Sequence, residues 1–254
     1  MMVEAARHAY DDGFFDYIER GSRRSAQHIV AILRHDLAVS SVLDVGCGRG
    51  VWVEEWRRNG VLDAIGVDGD YVNPDRLIIP KENFIVRKLA QKFSLGRRFD
   101  VVQSLEVAEH IPGTSADCFI DSLVGHGPVI LFSAAVPGQG GEFHVNEQPY
   151  EYWRKKFADH HFDIFDFLRP NIIGNRAIEP WYRYNTFLFV QQSAVDRLPE
   201  AIRKTRLQPN QPVAELAPLP WRLRNFTLRQ LPQPVVQRIA RLKHAIYRAG
   251  ISPN

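Results

Sequence analysis

The sequence predicts an α/β fold in which helices cover both faces of a doubly wound, seven-stranded, mostly parallel sheet. Three observations predict it. Seven short runs of β-forming residues alternate with stretches of helical apolar spacing. Some runs, such as 129–132, are apolar throughout, as in strands buried on both faces. Only a short, turn-rich segment separates the last two runs, which favours an antiparallel final hairpin at one edge.

Each element follows from a local pattern. Ile29, Ile32, Leu33 and Leu37 repeat with helical spacing and predict the first helix, and Gly60 closes the second. The predicted helices lie at 25–37, 51–59, 116–124 and 151–160. The predicted strands lie at 41–46, 64–70, 83–89, 99–107, 128–135, 162–168 and 184–192.

Composition limits the class of protein. The chain has 254 residues, of which 45% are hydrophobic and 24% charged, which is typical of a globular protein. Two cysteines, Cys47 and Cys118, cannot form a disulfide framework and favour a reducing compartment. The sequence shows no signal-peptide pattern and no stretch of 18 uncharged apolar residues. We therefore expect a cytoplasmic protein.

The composition changes after residue 193. Residues 194–254 carry 11 Lys and Arg against three acidic residues, and prolines interrupt the first part. We predict a domain at 1–193, with N-terminal helices or a lid at 1–40, followed by a Pro-rich linker and a basic helical appendage. Residues 235–249 have a helical apolar stripe. The appendage is either packed on the domain, or lies on an anionic membrane such as the inner membrane surface, or, least favoured, binds nucleic acid.

A glycine-rich loop follows the first strand. Gly46, Gly48 and Gly50 have neither the dinucleotide-binding nor the P-loop spacing. Asp44, two residues before the first glycine, would repel a pyrophosphate but pairs well with an ammonium group. Asp68, about 20 residues after the loop, suits the two hydroxyls of a ribose. The site therefore suits a nucleoside with a cationic amino-acid end, such as S-adenosylmethionine.

Three segments carry a family resemblance: "VLDVGCGRG", "GVDGD" and "FDVVQSLEVAEHIP". Over about 42–192 the chain resembles class I S-adenosylmethionine-dependent methyltransferases. The resemblance implies that Asp44, Gly46 and Gly48 line the methionine end, that Asp68 holds the ribose and that Gly69 lies beside the adenosine. At the end of the third strand, Lys88 replaces the acidic residue found in many relatives. The expected cofactor-binding residues are Asp44, Gly46, Cys47, Gly48, Asp68, Gly69, Leu89 and Glu106.

The loop after the fifth strand holds the candidate catalytic residues. Residues 134–153 are rich in glycine and closely spaced polar side chains, which is more typical of a site than of a core. His144 is the first candidate for a general base, His110 the second, and Glu106 faces the cofactor or the substrate entrance. Each histidine has an alternative, purely structural interpretation. Glu147 either orients the substrate or opens the next helix. The expected substrate-binding residues are Glu142, Asn146, Glu147, Tyr17 and Trp181.

Aromatic residues flank the expected site and form either a lid or core. They are Tyr10, Phe14, Phe15, Tyr17, Trp181, Tyr182 and Tyr184. We expect no metal, because Asp117 and Asp121 have the spacing of a solvated helix face. The function favoured is O-methylation of a sugar, glycan or small-molecule hydroxyl. The alternatives are N-methylation of an amine or peptide, and a catalytically idle cofactor-binding subunit.

Overall fold

A computed structural model describes residues 12–248, and within them the side chains outside 12–14, 17–18, 233 and 243–248. Seven strands form one sheet in the order β3-β2-β1-β4-β5-β7-β6. The strands are β1 Ser41–Val45, β2 Asp63–Asp68, β3 Phe84–Val86, β4 Val101–Leu105, β5 Val129–Ser133, β6 Phe162–Phe165 and β7 Phe187–Gln191. Strands β1 to β5 pair in parallel, and β7 is antiparallel to both β5 and β6. The predicted final hairpin is confirmed.

Nine α-helices lie within the described part of the chain. They are α1 Asp12–Asp36, α2 Val51–Arg58, α3 Ala116–His126, α4 Tyr150–Ala158, α5 Leu168–Ile172, α6 Pro180–Asn185, α7 Glu200–Arg203, α8 Leu219–Arg229 and α9 Gln233–Arg248. The segment between the last two strands, predicted as turns, contains α5 and α6. Pro180 opens α6 because a proline at the first helical position loses no hydrogen bond.

Apolar side chains cover both faces of the sheet, as doubly wound packing requires. On one face, residues of α1 and α2 such as Leu33 and Trp56 pack on Val42 and Leu131. The helices α3 and α4 cover the other face, where Phe157 stacks on Phe189 with ring centroids 4.0 Å apart. Consecutive residues along β1, and likewise along β5, thus pack on opposite faces of the sheet. The alternation fixes the strand register, since a slip of one residue would exchange the two faces.

The carboxyl ends of β1, β2, β4 and β5 meet at one edge of the sheet, beside the point where strand order reverses. Helices α8 and α9 lie over this edge. Arg224 of α8 donates a hydrogen bond to the Gln139 carbonyl at 2.9 Å, and the Trp221 ring lies 5.7 Å from that of Tyr184. The basic appendage is therefore packed on the domain. Between residues 12 and 248, no helix is long and apolar enough to cross a membrane.

Candidate active site

A cavity of about 650 Å³ opens at this edge of the sheet. Its walls come from α1, from the glycine loop, from the ends of β2 and β4, from the loop after β5, and from α8 and α9. The C-terminal helices contribute Arg224, Leu228, Val236, Ile239 and Ala240. The cavity is large enough for a nucleoside cofactor together with part of an acceptor.

The glycine loop forms one end of the cavity. Gly46 has a φ of 87°, a backbone conformation that residues with a side chain rarely adopt. A Cβ atom at this position would lie 2.4 Å from Val107 Cγ2. A residue without a side chain is needed here because the loop turns sharply against the segment that follows β4. Gly50, also with a positive φ, caps the start of α2.

Asp68 lies at the tip of β2 and organises this loop. Its carboxylate accepts hydrogen bonds from the backbone amides of Gly48 and Gly69, both at 2.7 Å, and from the Tyr71 hydroxyl. Burial raises its pKa, and these three donors oppose the rise. The side chain lines the cavity, as a ribose-binding carboxylate would. Tyr71 was not predicted, and only its position three residues after Asp68 could have indicated it.

Asp44 lies beneath the loop and is not among the residues that line the cavity. Its side chain is 2% exposed, and its Oδ2 atom has no hydrogen-bond partner among the described residues. Burial raises its pKa to about 7, against the lowering effect of the nearby Gln103 amide. A buried carboxylate oxygen without a donor is costly, and an ammonium group would supply one. The residues of this end thus fit the amino-acid part of S-adenosylmethionine.

The other expected cofactor-binding residues lie on the same wall. Cys47, Gly69, Leu89 and Glu106 all line the cavity, together with Lys88. Cys47 is buried, and burial raises the pKa of its thiol well above the usual value, so it is a packing residue rather than a nucleophile. It fills the space beside Gly66.

Glu106 follows β4 with a positive φ of 56°, which is rare for a residue with a side chain. Its backbone amide donates to Ser133 Oγ at 3.0 Å, and its Oε2 accepts a hydrogen bond of 2.7 Å from Gln139. Asn185 of α6 donates to Gln139 at 2.8 Å. Burial is the main cause of the raised pKa of Glu106. The network joins β4, β5, α6 and the loop after β5 around one carboxyl group.

Three chemically active side chains converge on the wall beside Glu106. Glu109, His110 and His144 all line the cavity, and a ligand atom from each lies within 4.8 Å of the others. The two imidazole rings meet edge to face with centroids 4.9 Å apart. Burial, followed by the neighbouring His144, lowers the pKa of His110 to about 3. His110 is therefore neutral at physiological pH.

Glu109 was not predicted as a site residue from the sequence. It is 1% exposed, and neither carboxylate oxygen has a hydrogen-bond partner of normal geometry in the described structure. Burial, and then the charge of Glu106, raises its pKa well above the usual value, while the backbone amides of Glu109 and Ala135 oppose the shift. Its position directly before His110 was the available signal.

Glu147 stabilises the loop after β5 from the side that faces away from the cavity. It accepts hydrogen bonds from the amides of Gly138 and Gly140, both at 2.7 Å, and is 2.8 Å from His144 Nδ1. These partners lower its pKa although burial acts in the opposite direction. It does not open a helix, because α4 begins at Tyr150. That interpretation is wrong, and the side chain is not among those lining the cavity.

The remaining expected residues separate into two groups. Glu142 and Trp181 line the cavity, whereas Asn146 is buried behind it and accepts a hydrogen bond from Gln148. The side chain of Tyr17 lies outside the described residues, as do Tyr10 and Phe14. Of the other aromatic residues, Phe15 and Tyr182 line the cavity and Tyr184 packs on α8.

Comparisons with known proteins agree with this fold. Residues 17–131 match the family model of a methyltransferase domain. The fold resembles DesVI from Streptomyces venezuelae, with a TM-score of 0.53 and 15% identity over 70% of this chain and 94% of that one. It also resembles magnesium protoporphyrin IX methyltransferase from Synechocystis PCC 6803 with bound cofactor, with a TM-score of 0.51 and 19% identity over 73% and 94%.

A third similar structure is the sugar N-methyltransferase KedS8 from Streptoalloteichus sp ATCC 53650. Its TM-score is 0.50, with 16% identity over 68% of this chain and 87% of that one. No curated protein matches the chain significantly. The fold is that of the class I methyltransferases, as the sequence motifs predicted. Residues 17–131 therefore form a methyltransferase domain.

Proposed function

We propose that this chain is an S-adenosylmethionine-dependent methyltransferase that transfers the methyl group to a hydroxyl group of a sugar, glycan or other small molecule. The observation that carries the proposal is the cluster of Glu109, His110 and His144 in the cavity wall. A hydroxyl must lose its proton to attack the methyl carbon, whereas a neutral amine already has a free electron pair. A wall with two imidazoles and a carboxyl group is thus best suited to a hydroxyl.

His144 is the proposed catalytic base of this cluster. Its Nδ1 lies 2.8 Å from Glu147, so that side chain fixes the orientation of the ring. The other nitrogen, Nε2, lies 3.9 Å from Glu109. With Nδ1–H donated to Glu147, Nε2 is free of a proton and can accept one from a hydroxyl. Glu106, on the same wall, orients the acceptor or the cofactor.

Labelled methyl transfer tests the proposed reaction. The full chain is incubated with radiolabelled S-adenosylmethionine and pairs of acceptors that differ only by hydroxyl and amino groups. We expect label in the hydroxyl compounds, and turnover at least 100-fold lower for His144→Ala with cofactor affinity within a few fold. His161→Ala, at an exposed turn residue between α4 and β6 that does not line the cavity, is the matched control. Label only in amines, or full turnover by His144→Ala, would show that the proposal is wrong.

In this proposal the methyl acceptor lies at the surface of an anionic membrane. Helices α8 and α9 form one wall of the cavity, and the segment 219–242 also exposes large apolar side chains that do not line it: Leu219, Leu223, Phe226, Leu231, Val235 and Leu242. Exposed arginines, including Arg222 and Arg238, stand among them. Apolar side chains beside arginines favour the interface of an anionic bilayer.

Vesicle flotation tests this surface. We expect the full chain to float with phosphatidylglycerol vesicles, less at high salt, and not with phosphatidylcholine vesicles. The double variant Leu223→Ser, Phe226→Ser should lose flotation. Leu62→Ser, which changes an apolar residue 70% exposed elsewhere, should keep it. Equal flotation of the double variant and the wild type would exclude these helices as the contact.

A further inference from the structure

We propose that Glu109, His110 and His144 bind a divalent transition-metal ion in the wall of the active-site cavity. No metal was expected from the sequence, in which Asp117 and Asp121 have the spacing of a solvated helix face. The inference rests on the proposed function only for what the ion does there. The site itself is argued from four features of the residues that form it.

The first feature is the type and spacing of the donor atoms. Two imidazole nitrogens and a carboxylate oxygen lie within 4.8 Å of one another. An ion about 2.1 Å from each ligand needs donors roughly 3 to 4 Å apart, so shifts below an ångström close the site. Imidazole together with carboxylate suits Mn²⁺, Fe²⁺, Co²⁺ or Zn²⁺ better than Mg²⁺, which prefers oxygen ligands and water.

The second feature is the state of Glu109. Its side chain is 1% exposed, and both oxygens lack a hydrogen-bond partner of normal geometry in the part of the chain described. Burying an unpaired carboxyl group costs free energy, which a folded protein normally offsets with a partner. Glu106 and Glu147 add negative charge near the same point. A dication would relieve both the missing partner and the repulsion.

The third feature is the support behind His144. Histidines that ligate metals commonly donate their other ring N–H to a carboxylate, which fixes the ring and makes the ligating nitrogen more basic. Glu147 stands 2.8 Å from His144 Nδ1, and it is itself held by two glycine amides. His144 Nε2 lies 3.9 Å from the Glu109 carboxylate. The pair therefore has the arrangement of a supported ligand.

The fourth feature is access. All three side chains line the cavity, so an ion among them would keep positions open toward the cavity. Catalytic metal sites keep such positions for water or substrate, whereas structural sites are closed. A hydroxyl bound to the ion would lose its proton to water in the cavity more readily, because the cation stabilises the alkoxide. In the ion-bound protein His144 would be a ligand, whereas in the metal-free protein it remains the proposed base, so His144→Ala is expected to lose turnover in either form.

Manganese binding tests the site without cofactor or acceptor. The full chain is treated with a chelator, dialysed and titrated with Mn²⁺, and free Mn²⁺ is followed by electron paramagnetic resonance. We expect one ion per chain, displaced by Zn²⁺ but not by equimolar Mg²⁺. Glu109→Gln and His144→Gln should each weaken binding at least tenfold. Glu151→Gln and His160→Gln, the same changes at residues that do not line the cavity, should leave it unchanged.

The readouts separate this proposal from the proposed function. Thermal unfolding and binding of S-adenosylhomocysteine show whether each variant is folded, and either of the two variants suffices for the test. Absence of binding by the wild type, equal binding by Glu109→Gln and His144→Gln, or displacement by equimolar Mg²⁺ would overturn the metal assignment. Methyl transfer to hydroxyls by chelator-treated enzyme at the full rate would also overturn it. That result would leave the proposed function intact.

Discussion

Replacement of Asp44 by asparagine should remove most of the pH dependence of cofactor binding. Burial raises the pKa of Asp44 to about 7 in the free protein. The proposed pairing with the cofactor ammonium needs the ionised carboxylate, so binding must release the proton whenever the group is protonated. Affinity is therefore highest above pH 7 and falls as the pH falls through 7.

The expected magnitude follows from that pKa. Each pH unit well below the pKa costs a factor of ten, so affinity should fall about 25-fold between pH 7.5 and pH 5.5. Asp44→Asn also loses a charge-assisted hydrogen bond of roughly 1.5–3 kcal/mol, which weakens binding about 10- to 150-fold at pH 7.5. At pH 5.5 the two proteins should differ much less, because the wild-type carboxyl is then protonated.

Isothermal titration with S-adenosylhomocysteine across this pH range measures the effect. Asp68 also has a raised pKa, so the quantity that matters is the ratio of wild-type to variant affinity at each pH. The exposed Asp159→Asn variant is the control and should keep the wild-type profile. A ratio that does not change with pH would refute the assignment of Asp44 to the ammonium group.

Three further substitutions test the geometry of the site. Gly46→Val places a branched side chain at a φ of 87° and 2.4 Å from Val107, so urea unfolding should show a loss of at least about 2 kcal/mol, and retained stability would contradict the turn. Glu147→Ala removes the acceptor of two loop amides, whose hydrogen exchange should become at least tenfold faster, while unchanged exchange would exclude this role. Arg224→Ala breaks the bond to the Gln139 carbonyl, and limited proteolysis should then cleave before α8 several times faster than in the wild type, whereas equal cleavage rates would show that α8 is held by other contacts.

Much of the fold was predictable because a strand that is buried in a doubly wound sheet consists mainly of apolar residues. The runs at 41–46 and 128–135 contain the observed β1 and β5, and their apolar character follows from helices on both faces. The predicted helix at 51–59 agrees with α2, which ends at Arg58, two residues before Gly60. Helices α5 and α6 were missed because each is short, with little room for a periodic pattern.

Site residues were predictable only where the conformation or the hydrogen bonds of the backbone require a particular residue type. The glycine loop and Asp68 follow from such needs, and the structure places them at one end of the cavity. Asn146 and Glu147 could not be assigned, because the direction of a loop side chain depends on how the whole loop folds. In the structure both point away from the cavity and support it. The domain boundary between residues 193 and 194 remains a prediction. Helices α8 and α9, which follow that boundary, form part of the wall of the same cavity.

The chemistry of the product tests the central claim most directly. S-adenosylmethionine labelled with carbon-13 in its methyl group is incubated with the full chain and a glycan or small molecule that bears both hydroxyl and amino groups, and the product is examined by NMR. The account predicts a methyl group bonded to oxygen, and loss of that signal in the His144→Ala variant. A methyl group found on nitrogen, formed equally well by that variant, would contradict it.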